Sequence, residues 1–83
     1  MTGAGSVEDL LAEIRLLMQF PRHSRLAGLK LHNDAEPALR QAAERLYSKG
    51  LISQVDGGYL TDRGIEAANY AQLLVDSLQP TMH

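Results

Sequence analysis

Apolar residues recur along this chain in more than one rhythm. Val7, Leu10, Leu11, Ile14, Leu17 and Met18 follow i, i+3, i+4 and i+7 spacing, which lays a continuous stripe along one face of a helix. Ser6 stands before the stripe as an N-cap, with Glu8 and Asp9 in the first turn, where the helix dipole favours acids. Pro21 stops the helix, because the residue before a proline is driven out of the helical region. The stripe reads as core, with a partner groove as the alternative.

Gly28-Leu29-Lys30-Leu31-His32 then alternates apolar and polar positions, a short strand with Leu29 and Leu31 on one face. Residues 24–27 could instead begin a further helical turn. Asn33 and Asp34 read as a turn and N-cap, and Pro37 falls in the first turn of a second helix running to about Lys49. Leu39, Ala42, Ala43 and Leu46 form its buried edge, while Arg40, Gln41, Glu44, Arg45 and Ser48 point outward. Glu36, Arg40 and Glu44, at successive i, i+4 steps, have the spacing of an ion-pair ladder.

Gly50 closes that helix in the left-handed conformation. Residues 51–55 are β-prone, and Asp56-Gly57 or Gly57-Gly58 supplies the positive φ angles of a primed two-residue turn. With Asp56-Gly57 as the loop, Gln54 faces Tyr59 and Ser53 faces Leu60. Thr61 then caps a long third helix over 62–79, with Leu60 and Ile65 spaced as a hydrophobic staple. Apolar residues on this last helix spread over an arc wider than one core contact needs. Ala68, Ala71, Val75 and Leu78 follow a 3, 4, 3 rhythm like a coiled-coil seam. Ala67, Tyr70, Ala71, Leu74, Val75 and Leu78 are therefore the candidate interface of a homodimer, with packing inside one chain as the alternative.

Composition adds limits. At 83 residues the chain fits one small domain, here 6–80, with a disordered N-terminus over 1–5 and a tail over 81–83. A core this thin makes association a natural source of added stability. No apolar run spans a bilayer and the N-terminus lacks a secretory pattern, so a cytoplasmic protein without membrane contact is expected. With no cysteine there is no disulfide, thiolate zinc site or thiol nucleophile.

The net charge of −2 conceals an asymmetry: residues 14–33 hold Arg15, Arg22, Arg25 and Lys30 with no acid, and His23 and His32 lie among them. Anion contact is therefore sought there and on the helix that follows. His23 and His32 lack metal-ligand spacing, so no metal is expected. Catalytic residues and cofactors are likewise not expected: no nucleophile–base constellation, phosphate loop or paired carboxylates can be discerned.

The string Arg45-Leu46-Tyr47-Ser48-Lys49-Gly50-Leu51-Ile52, the short glycine turn and Tyr59-Leu60-Thr61-Asp62-Arg63-Gly64 resemble the recognition-helix end and wing of bacterial regulators of the MarR and PadR kind. The chain beyond Ser6 is also similar to a family of small proteobacterial proteins labelled DNA-binding. The fold so implied is mainly α with a small β-hairpin, winged helix-turn-helix-like, with a short first strand and a long C-terminal helix. The resemblance would place the second helix in a major groove and the hairpin against the adjacent backbone.

Arg40, Gln41, Arg45 and Ser48 are then the candidates on the groove-facing helix, and Arg22, Arg25, Lys30 and His32 the candidates for phosphates. Double-stranded DNA is one expected partner. The other reading is a protein–protein interaction module on the same scaffold. Two features depart from the usual winged helix: only one clear helix fits between His32 and Gly50, and the wing tip carries Asp56 in place of a base.

Overall fold

A computed structural model describes residues 6–21 and 28–79. Expectations for 1–5, 22–27 and 80–83, including those for Arg22, Arg25 and His23, lie outside the described residues.

The order is α1 (Val7–Gln19), β1 (Leu29–Lys30), α2 (Pro37–Ser48), β2 (Ile52–Gln54), β3 (Gly57–Leu60) and α3 (Asp62–Leu78). The three strands form an antiparallel sheet in the order β1-β3-β2. The fold is thus mainly helical and winged-helix-like. Its core is built from Leu16 and Phe20, from Ala42, Ala43 and Leu46 of α2, from Ile52, and from Ala68 of α3. No described helix is long and apolar enough to cross a membrane.

The predicted caps locate the helices well. The Ser6 hydroxyl accepts from the Asp9 N–H at 3.1 Å, and Phe20, before Pro21, turns extended at φ −72° and ψ 140°. At the end of α2, the Leu51 N–H reaches the Leu46 carbonyl at 3.0 Å and the Gly50 N–H reaches that of Tyr47. With Gly50 at φ 78°, this is a Schellman closure. Thr61 joins two elements: its hydroxyl accepts from the Gly64 N–H at 3.1 Å to cap α3 and donates to the Gly50 carbonyl at 2.7 Å. Gly64 lets α3 begin against Leu51, just before β2, since a Cβ there would stand 1.9 Å from the Leu51 oxygen.

Four local expectations are corrected. The predicted stripe of α1 is not its buried face: Glu13, Leu16 and Leu17 are buried with Phe20, while Val7, Leu10 and Leu11 are exposed. Both sets have helical spacing and share Leu17. Burial goes to the one that carries Phe20 and sets Glu13 against α2. The second correction concerns the start of α2, which has Glu36 as its N-cap in place of Asn33 or Asp34, with no side-chain cap bond. Pro37 at the first position forces Glu36 extended (φ −53°, ψ 137°), which leaves the preceding turn outside the helix.

Thirdly, the hairpin turns one residue earlier than expected, at Val55-Asp56, with Gln54 opposite Gly57 and Ile52 opposite Leu60. Among the described residues none other than glycine has positive φ, so this loop is not a primed turn. The unusual angles fall on Gly57 (133°) and Gly58 (78°) within β3, where the register slips. The Tyr59 N–H there donates to the Ser53 hydroxyl at 2.9 Å. A Cβ on Gly57 would meet the Leu29 oxygen at 2.1 Å, so glycine also lets β1 approach. Lastly, Ala71 is buried and Ala67 packs against the core, so these two belong to the chain's own interior and not to a dimer face.

Candidate nucleic-acid interface

The outer face of α2 and the edge formed by β1 and the hairpin enclose an open cleft of about 610 Å³. Lys30, Leu31, His32 and Asn33 line it from β1 and the segment after it. Pro37, Arg40, Gln41 and Glu44 line it from α2, and Val55 and Asp56 from the hairpin turn. The Leu31 N–H donates to the Asp56 carbonyl at 2.9 Å, which holds the turn beside β1. Four predicted anion-contacting residues, Lys30, His32, Arg40 and Gln41, therefore line one cleft, although seven residues separate His32 from Arg40, the nearest of them on α2.

The electrostatics of the cleft are mixed. Lys30 lies 3.5 Å from Asp56, an exposed pair that is worth little and leaves the ammonium available to another anion. Arg40 forms no ion pair among the described residues, so the Glu36–Arg40–Glu44 ladder is not made. Glu44 and Asp56 nonetheless offset the two bases within the same cleft. Between Leu31 and Glu36 there is only a turn, closed by the Ala35 N–H on the His32 carbonyl at 3.0 Å, so no helix between β1 and α2 braces α2.

Arg45 departs from expectation. Its side chain is 19% exposed and lies between α2 and α1, with Nε donating to Glu13 Oε2 at 2.7 Å and a terminal nitrogen donating to the Asp9 carbonyl at 3.1 Å. Lys49, one turn further, donates to Glu13 Oε1 at 2.6 Å. Arg45 of α2 and its C-cap Lys49, four residues apart, thus face the i, i+4 pair Asp9 and Glu13 on α1. Burial pushes the Glu13 carboxyl upward and is the largest single influence. The hydrogen bonds and charges of Lys49 and Arg45 together outweigh it and hold its pKa below the ordinary carboxylate value. Arg45 is accordingly a strut between helices and not a groove-facing base.

Ser48 is exposed, but its hydroxyl donates to the Arg45 carbonyl at 2.9 Å and it does not line the cleft. Glu13 was not singled out from sequence, although one signal marks it: a carboxylate at the head of the apolar series Leu16, Leu17, Phe20. Among the described residues, no group of three or more His, Cys, Asp or Glu side chains is placed to hold a metal ion.

A family described as "Family of unknown function (DUF5669)" matches residues 6–79. No curated protein and no solved structure matches the chain.

Proposed function

Because the chain belongs to the DUF5669 family, whose function is unknown, we propose its role from its own residues: a cytoplasmic, non-enzymatic winged-helix protein that binds duplex DNA, with a regulatory role in transcription. The observation that carries this reading is the convergence of Arg40 and Gln41, exposed on the N-terminal half of α2, with Lys30 and His32 across one open cleft. Residues near the start of a recognition helix are those that reach base edges. Arginine and glutamine carry the donors and acceptors that guanine and adenine edges match. Lys30 and His32, on the opposite wall, suit the phosphates flanking a groove.

Titration of a fluorescent duplex by anisotropy at several salt concentrations tests the reading. Binding should weaken linearly in log–log terms as salt rises, and Arg40→Ala should reduce the slope by about 0.9 for one lost phosphate contact or lower affinity for one base preference. Absence of binding at low salt, or binding indifferent to Arg40→Ala, would remove it.

A second reading rests on the balance of charge in the cleft, where Glu44 and Asp56 match Lys30 and Arg40. A mixed-charge groove suits a polar protein segment better than a polyanion. Failure to bind duplex DNA at low salt favours this interaction module.

A further inference from the structure

The apolar face that α1 turns away from the core does not end at the edge of that helix. Leu11, Ile14 and Met18 of α1 meet Val75 of α3 in a shallow groove of about 270 Å³, with Arg15 on its rim. Beside it, Tyr70, Leu74 and Leu78 form a row on α3 at i, i+4, i+8 spacing. Val7, Leu10, Leu11, Tyr70, Leu74 and Leu78 are all between 45% and 75% exposed. Taken together, six such side chains present on the order of 500 Å² of apolar surface. That lies towards the upper end of what a monomer leaves uncovered.

We infer that a second copy of this chain covers the α1/α3 face, the two being related by a twofold axis. Three observations single out that occupant. Two copies of this patch together bury about 1,000 Å², which reaches the minimum for a specific interface and suits a weak, concentration-dependent dimer. The patch also carries both a groove and an adjoining ridge, so it complements itself, as a twofold interface requires. Finally, Arg15 on α1 and Glu66, one turn before Tyr70 on α3, form no ion pair among the described residues. A twofold contact of α1 with α3 lets these opposite charges meet at its rim.

The inference is independent of DNA binding, since neither the cleft nor its residues contribute to this face. It narrows the interface expected from sequence: Tyr70, Leu74, Val75 and Leu78 remain, Ala67 and Ala71 leave, and α1 contributes its exposed stripe.

Sedimentation equilibrium over about 1–200 µM chain tests it, with circular dichroism confirming that each variant folds. The wild-type chain should sediment as a dimer in the upper part of that range. Leu74→Asp on α3 and Leu11→Asp on α1, both at exposed positions, should each weaken association at least about 100-fold, because each places a charge in an apolar contact. A wild-type chain that stays monomeric throughout overturns the inference. So does a dimer that tolerates both substitutions, or a monomer that forms a stoichiometric complex with a different protein through this face.

Discussion

Replacing Glu13 by glutamine keeps the shape of the side chain and removes its charge from the junction of α1 and α2. The carboxylate is 7% exposed and serves both Arg45 and Lys49. Deleting one partner of a fully buried ion pair costs roughly 3–5 kcal/mol, since the remaining charge stays desolvated. Arg45 is not fully covered and Lys49 is about half exposed and free to turn to water, so about 2–3 kcal/mol is expected here. Against the roughly 4–12 kcal/mol total of a domain this size, that is a large share.

Urea unfolding at pH 7 followed by circular dichroism measures it, with Glu8→Gln on the exposed face of the same helix as the control. The midpoint should fall with the slope unchanged, and the melting temperature by roughly 10–20 °C. Acid supplies a second reading of the same interaction. The folded-state pKa of Glu13 is depressed, so its contribution is present in full above the unfolded value of about 4.3 and is lost as pH falls through the folded value. The gap between wild type and Glu13→Gln should therefore stay constant from pH 7 to about 5 and narrow progressively once pH falls below the unfolded value. A loss under about 0.5 kcal/mol at pH 7, or a gap that does not narrow in acid, would refute this account of the junction.

Two further outcomes test the sheet and its link to α3. Gly64→Ala should destabilise by on the order of 3 kcal/mol in the same urea assay, because its Cβ would stand 1.9 Å from a backbone oxygen that also accepts from Thr61; a change under about 1 kcal/mol would show that α3 can shift. Ser53→Ala removes the acceptor of the Tyr59 N–H at the β3 irregularity and should cost only about 0.5–1 kcal/mol, since water can reach that exposed group, with faster amide exchange at Tyr59 as the local signature.

What the sequence determined by itself is local. Ser6, Pro21, Pro37, Gly50 and Thr61 act through their own dihedral angles or through bonds to nearby residues, and so the three helices and their ends were legible, except for the cap of α2, which falls on Glu36. The same holds for the existence of a hairpin, though not for its register, because the positive φ angles of Gly57 and Gly58 go with the pairing of β3 to β1 and the Tyr59–Ser53 hydrogen bond, which no local pattern encodes. For the candidate cleft, Lys30, His32, Arg40 and Gln41 could be named from residue type and helix face, yet only the fold showed that they meet.

Tertiary structure decided which of two equally periodic faces α1 buries and which way Arg45 points. Both outcomes meet at the α1–α2 junction, where Glu13 binds Arg45 and Lys49, residues 32 and 36 positions away. No local rhythm encodes that pairing. A charge on an amphipathic helix reads as solvated until another helix brings it a partner; here Glu13 shares the buried face with Leu16, Leu17 and Phe20, and Arg45 and Lys49 supply the partners that its burial requires.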